Sequence, residues 1–359
     1  MATPPALALL DPWLQDPAIS EIMINGPKSC WVERGGRMEL VQSPFHSAHQ
    51  IQNMIDSLLS ATGRSVTMKQ PFVDFRLPDG SRVNVVIPPV ALDGPVVTIR
   101  KFSRAIGTME DLVRLGTLTE RMAYLLYAAV RGHLNVLFSG GAGTGKTTTL
   151  AMASGYIDDS ERIVVIEDTA ELDLKQGHVV RLECRPPNME GSGAIKQSEL
   201  LRNSLRMRPS RIIVGEVRGD EAIEMLQAMT SGHDGCLAVL HASSPLHAVS
   251  RLEMMVLSRG LPLPLWGIQR QISTAVDLIV QMAIHRDGTR RVTHITEVGG
   301  VAGEQVELQD LYTFDDDGTD AQGRVQGRFR CSGHRPAFVD RFRELGPDVV
   351  DHMFTEGAD

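Results

Sequence analysis

The sequence predicts an α/β chain of two domains: an N-terminal α+β domain with a mainly antiparallel sheet, then a C-terminal domain built on a largely parallel sheet. Three observations carry this. Up to about residue 102, short strand-like runs follow one another with one amphipathic helix among them. From residue 119, apolar β-type runs alternate with helical periods, the pattern of a doubly wound sheet. After Asp277 the alternation stops and strand-like runs follow each other directly, as in antiparallel strands. The expected domain limits are 1–102 and 119–359, with 103–118 as the linker and lead-in helix.

In the N-terminal domain, residues 19–24, 30–33 and 38–41 read as short strands broken by Asn25-Gly26-Pro27 and Gly35-Gly36. Residues 49–59 place Ile51, Met54, Ile55, Leu58 and Leu59 at helical spacing. Runs 73–77 and 82–87 flank Pro78-Asp79-Gly80 as a hairpin, and 96–102 adds a strand. In the C-terminal domain a helix over 119–131 precedes strands at 134–139, 163–167, 211–215 and 237–241, with helices between. Residues 277–285, 291–298 and 304–314 are then expected to form antiparallel strands, with a turn at Asp287-Gly288. The acidic DDDG at 315–318 is expected to be a surface turn. A strand at 324–331 and a helix after Pro336 close the chain.

Composition sets limits. At 359 residues, 42% hydrophobic and 22% charged, the chain has the makeup of a globular protein with room for two cores. A net charge of −8 argues against a general nucleic-acid binder. Cys30, Cys184, Cys236 and Cys331 are scattered without paired spacing, so neither a zinc site nor a disulfide framework is expected, and a reducing cytoplasm fits. The start, MATPPALALLDPW, lacks the basic region of a signal peptide. No apolar stretch nears the roughly 20 residues of a membrane helix.

The chemistry concentrates in residues 134–150, LNVLFSGGAGTGKTTTL. An apolar run (Val136, Leu137, Phe138) ends in a glycine-rich turn. Gly140, four residues, then Gly145-Lys146-Thr147 fits the phosphate-loop pattern. Glycines let backbone N–H groups wrap phosphates where a Cβ would collide. Lys146 can reach the β- and γ-phosphates, the Thr147 hydroxyl suits Mg²⁺, and the helix starting near Lys146 points its positive dipole end at the anion. The candidate cradle is therefore Gly140, Gly141, Ala142, Gly143, Thr144, Gly145, Lys146, Thr147 and Thr148, with ATP and Mg²⁺ as its expected ligands.

Other strand ends carry polar groups. IVVIEDTAEL puts Glu167, Asp168 and Glu171 at the carboxyl end of a buried strand, where open α/β sheets bind ligands. A carboxylate there could position water or Mg²⁺, or equally cap a turn beginning at Asp168-Thr169. In RIIVGEVRG, Gly215-Glu216 stands where phosphate-loop proteins usually end a strand in a metal-holding Asp. Glu216 is thus the candidate to polarise the attacking water or to act on Mg²⁺ through water. Gly232-His233-Asp234-Gly235 precedes a strand ending in His241. A lone histidine is more often structural, but His241 closes the strand next in line and is expected to face the phosphates, with His233 the second candidate.

Together these stretches resemble the secretion-ATPase superfamily, which powers type II and type IV secretion and type IV pili. GGAGTGKTTT is similar to its Walker A motif and VVIEDTAEL to its acidic Asp box. RIIVGEVRGDEAIEMLQAMTSGHDG is similar to its Walker B and following helix, and GHDGCLAVLHASSPLHAVSRLE to its His box. The likeness runs from about residue 19 to 311. LRMRPSRIIVGEVRG and the LHASSP run resemble the CpaF/TadA branch, which assembles tight-adherence (Flp) pili; conjugation-type ATPases are near relatives. The chain begins almost at the N-terminal domain, so the longer extension usual in that branch is expected to be absent or removed, and no CxxC zinc module is present.

The resemblance implies a RecA-like ATPase domain over 119–359, ATP hydrolysis, and a ring-shaped homo-hexamer with ATP between the domains. It implies a cytoplasmic location at the inner membrane and a membrane platform protein as partner, with neither direct insertion nor stable nucleic-acid binding. Beside Glu216, it makes Glu167, Glu171 and His241 catalytic candidates. It further implies arginines reaching the nucleotide from the N-terminal domain: by motif position these are Arg82 in GSRVNVVIPP and Arg100 in VTIRKF, otherwise surface arginines on strands. Competing readings are a nucleic-acid translocase, which would need a local basic groove, a nucleotide-gated scaffold without turnover, and a small-molecule kinase.

Overall fold

A computed structural model of the chain describes residues 5–60, 64–101, 107–187, 192–345 and 347–358. The chain divides into two compact units, Met1–Ile106 and Gly107–Asp359. Residues 102–106, which include Phe102 of the last expected N-terminal strand and the start of the expected linker, lie outside the described residues.

The first unit opens with a 3₁₀ turn, Pro5–Leu10, and α1 (Asp11–Leu14). Then come β1 (Ile19–Asn25), β2 (Cys30–Arg34), β3 (Arg37–Val41), α2 (Ala48–Ser60), β4 (Phe72–Arg76), β5 (Arg82–Val86) and β6 (Val96–Arg100). Among the described residues these strands form a six-stranded sheet in the order β3-β2-β1-β6-β5-β4, and every ladder is antiparallel. Period-two burial explains why it is a sheet with one covered face. Ile22, Ile24, Val83, Val85, Val97 and Ile99 are buried against Ile51, Met54, Ile55, Leu58 and Leu59 of α2. Each such aliphatic side chain contributes roughly 1.5–3 kcal/mol by leaving water. The β4–β5 turn is closed by the Leu77 amide donating to the Ser81 carbonyl at 2.9 Å, with Asp79 accepting from the Ser81 amide at 2.9 Å.

The second unit starts with α3 (Met109–Arg114), held by a capping box between Thr108 and Asp111, and α4 (Glu120–Arg131), capped by Thr119. It continues through β7 (Val136–Gly140), α5 (Lys146–Ser154), β8 (Ile163–Glu167), β9 (Val179–Glu183), α6 (Gln197–Ser204), β10 (Arg211–Val217), α7 (Glu221–Met229) and β11 (Leu237–His241). Then follow α8 (Pro245–Ser258), α9 (Leu265–Ala275), β12 (Leu278–Ile284), β13 (Arg290–Ala302), β14 (Gln305–Thr319), β15 (Val325–Cys331), the 3₁₀ segment Ala337–Leu345, α10 (Pro347–Met353) and β16 (Gly357–Ala358). Among the described residues they make one ten-stranded sheet, β16-β15-β14-β13-β12-β7-β11-β10-β8-β9.

The stretch from β12 to β9 is parallel and the rest antiparallel. The four central strands read as unbroken apolar runs because both faces are covered by helices. Two expectations change here. Run 277–285 is not simply the first antiparallel strand: β12 pairs in parallel with β7 and antiparallel with β13, so it is the join between the two sheet types. The DDDG stretch is not a turn. It continues β14, because Arg330 pairs with Asp315 at 2.7 Å across the ladder and a register shift at Asp316/Gly318 absorbs the glycine. β9, at the sheet edge, was missed; VVRLE is short and half exposed.

Candidate active site

The phosphate loop is shaped by what its backbone must do. Gly145 has φ +96°, a left-handed conformation that L side chains rarely adopt, and the next residue begins α5. A Cβ on Gly140 would come within 2.6 Å of the Met282 carbonyl oxygen and of Thr144 Oγ1. α5 thus presents its unpaired N–H groups to the loop, an arrangement that accepts phosphate. Lys146 is buried and its ammonium donates to the Gly141 carbonyl. The Thr144 hydroxyl donates to the same oxygen at 3.0 Å. Thr147 and Thr148 sit half-buried in the first turn of α5.

Glu216 emerges at the carboxyl end of β10. Both its oxygens are engaged: Oε1 lies 2.9 Å from His241 Nε2, and Oε2 accepts from Arg218 Nη2 at 2.6 Å. Burial works to raise the Glu216 pKa. The Arg218 hydrogen bond and the charges of Arg218, His241 and Lys146 outweigh it, so the carboxyl titrates below its ordinary value. His241 reaches the site because β11 runs beside β7 in a register that puts it next to Gly140. Burial, then the Lys146 charge, depress its pKa; the Glu216 carboxylate pulls the other way and loses.

Glu167 is buried, and its Oε1 accepts the amides of Glu171 at 2.7 Å and Leu172 at 2.9 Å. It pins the loop that follows β8, and burial raises its pKa despite those two bonds. Gly215 makes room for it: a Cβ there would lie 2.6 Å from Glu167 Cγ. Glu171 is half-buried on the pinned loop, while Asp168 is exposed and lies 3.6 Å from Arg218 Nη1. His233 is not brought to this site. It precedes β11, at the amino end of the strand whose carboxyl end carries His241, and lies 3.4 Å from Ser231 Oγ. Arg82 and Arg100 belong to the first unit, where β5 and β6 set them side by side on the face away from α2, and Arg100 Nε lies 3.6 Å from Glu21.

Beside the loop opens a cavity of about 810 Å³ whose lining includes Gly141, Thr144, His241, His247, Arg251 and Gln281. That volume is of the size that holds small ligands. Sequence reasoning passed over Arg218 and Gln281. Proximity in sequence could have found Arg218, which follows Glu216 by two and stands just past the end of β10. Nothing local marks Gln281: it lies in a buried run, donates to the Ala242 carbonyl at 3.1 Å, and is placed here by the parallel pairing of β12 with β7.

The comparison with known families decides what this arrangement belongs to. The type II/IV secretion system proteins match residues 7–331 of the chain. The chain is a member of that family. Among relatives of this type II/IV secretion system protein is a Mycobacterium tuberculosis protein whose name proposes a role in conjugal transfer, 34% identical over 80% of this chain and 83% of its own. The conjugal transfer protein TrbB of Rhizobium radiobacter is 30% identical over 85% of this chain and 91% of its own. In fold, it is similar to the pilus retraction motor PilT with bound ADP: TM-score 0.56 at 19% identity, over 86% of this chain and 83% of that one. The second unit of this family member is accordingly a RecA-like domain. Among the described residues, no helix is long and apolar enough to cross a membrane.

Proposed function

We propose that the chain is an ATP hydrolase that powers pilus assembly or macromolecular secretion. The supporting observation is convergence: Lys146, at the start of α5, acts on Glu216 and His241, which stand together at the carboxyl ends of β10 and β11. The loop amides and Lys146 hold the phosphates. Glu216 orients the attacking water and takes its proton, and His241 holds Glu216 in place. Glu167 acts as a positioning residue that fixes Glu171 at the acidic wall. The donor set fits Mg²⁺, since a threonine hydroxyl in the first turn of α5 and an ionised carboxylate at the end of β10 are hard oxygen ligands. Thr147 directly and Glu216 through water would hold the ion, and when bound it neutralises phosphate charge. Arg82 and Arg100 supply cations from the first unit as charge builds on the departing phosphoryl group.

In this reading the working form is a homo-hexamer docked on an inner-membrane platform protein from the cytoplasmic side, inserting nothing into the bilayer and holding no nucleic acid. The wording around Glu216 and His241 supports a tight-adherence pilus motor. A conjugation-type role is the second reading, supported by the names of the relatives above. The test is phosphate release by purified protein with Mg²⁺ and ATP. Lys146→Ala is expected to lower turnover by at least about 100-fold, because the phosphates lose their buried point charge. Turnover equal to wild type would remove the loop from the mechanism.

A further inference from the structure

Glu216 faces a conflict. A carboxylate that is to take a proton from water must be basic, yet Oε2 accepts a charge-assisted hydrogen bond from the Arg218 guanidinium that holds its basicity down, while Oε1 lies 2.9 Å from His241 Nε2. The two partners are not equivalent. His241 stands at the end of an internal strand, in register with Gly140, and is held there by the sheet. Arg218 has a fixed root and an exposed arm. Its backbone amide and that of Gly219 are both held by Oε1 of the buried Glu221, while its side chain is 58% exposed. A guanidinium of this kind, two residues beyond Glu216 and exposed to solvent, can exchange its partner for a stronger anion within its reach.

We propose that Arg218 is a phosphate-triggered switch: before ATP arrives it caps Glu216, and when a γ-phosphate enters it transfers to that group, stabilising it and uncovering the carboxylate. The inference rests on the ATPase reading and adds a residue to it. A γ-phosphate carries more charge than a carboxylate and offers three acceptor oxygens, so transfer is favoured when ATP is bound. ADP lacks that group and leaves the cap on Glu216, so the base is presented only when there is a bond to cleave. Asp168, 3.6 Å from Nη1, sets the side from which the arm returns. No bond is made or broken in the switch. One guanidinium exchanges one anionic partner for another, and the proton inventory is unchanged.

A static ion pair would produce different numbers from a switch. If Arg218 only neutralises Glu216, Arg218→Ala weakens ATP binding by exposing a repelling carboxylate, and Glu216→Gln abolishes that penalty. If Arg218 moves to the phosphate, the penalty survives in the Glu216→Gln background, where nothing competes for the guanidinium. The experiment is calorimetric titration of wild type, Glu216→Gln, Arg218→Ala and the double variant with a non-hydrolysable ATP analogue and with ADP, both with Mg²⁺. In the Glu216→Gln background, Arg218→Ala should weaken the ATP analogue by about tenfold or more, the worth of one charge-assisted hydrogen bond. ADP should bind all four proteins within about twofold, which also shows that they are folded. Disappearance of the penalty in the Glu216→Gln background overturns the switch, as does an equal loss for ADP. Should Arg218→Ala lose ADP binding altogether, Arg218→Gln carries the same comparison. Failure of the wild type to bind either nucleotide would overturn the ATPase reading itself.

Discussion

At the residue scale the site depends on which charges face one another. Glu216 stays ionised because Arg218, His241 and Lys146 outweigh its burial. Glu216→Gln keeps the shape and the His241 contact but cannot take a proton. It should bind ATP at least as well as wild type and turn over about 10²–10⁴ times more slowly. Loss of ATP affinity together with turnover would make Glu216 a binding residue. Arg82 and Arg100 pose the complementary question. They are cross-strand neighbours on a face away from the core, so replacing either with Ala should leave stability within about 0.5 kcal/mol. Turnover should nevertheless fall by at least about tenfold if they meet the developing phosphoryl charge. Single-turnover measurement of both variants decides it: activity within about twofold of wild type, below roughly 0.5 kcal/mol of barrier, leaves them as surface arginines.

At the element scale the site depends on β10 and β8 lying close enough for Glu167 to reach past Gly215. A methyl group at residue 215 would meet Glu167 Cγ at 2.6 Å. Gly215→Ala should therefore cost about 1–3 kcal/mol of stability and release the loop that Glu167 holds through the Glu171 and Leu172 amides. An unchanged melting temperature with full turnover would show that Glu167 moves aside freely. The same strand ends show what was legible in the sequence. Apolar runs covered on both faces announced β7, β8, β10 and β11 without ambiguity, and their carboxyl ends located Lys146, Glu216 and His241. Less legible was anything decided by partners distant in the chain. β12 carries the same kind of run whether it pairs in parallel or antiparallel, and only the assembled sheet shows that it does both. The aspartates at 315–317 have the local chemistry of a turn, and what makes them a strand is Arg328 and Arg330 opposite. His233, the second candidate, precedes β11 and so stands at the end of the strand opposite His241.

At the scale of the whole molecule, the proposed mechanism divides the cations of one site between two units, Lys146 in one and Arg82 and Arg100 in the other. ATP would then favour whichever arrangement lets both sets engage it. In a ring, such a change in one subunit alters its contact with the next, so hydrolysis should be cooperative. Subunits with bound nucleotide should differ in interdomain angle from empty ones. Electron microscopy at substoichiometric ATP analogue, with the Hill coefficient of hydrolysis, measures both; a monomer at working concentration, or identical angles in filled and empty subunits, removes the coupling. The position of β12 has a mechanical side as well. It is bonded to the phosphate-loop strand β7 on one flank and, from Leu278–Glu297 to Ile284–Arg290, to β13 on the other. Beyond it β14 alone runs 15 residues, roughly 50 Å. A hydrogen-bonded ladder is an anisotropic beam: tension along the strands loads its bonds together in shear, while tension across them peels the bonds away singly. In the proposed motor, force generated at the loop would therefore be transmitted stiffly along the strand axis and compliantly across it. A tether attached through the β14–β15 end should rupture at markedly higher load in the first direction than in the second.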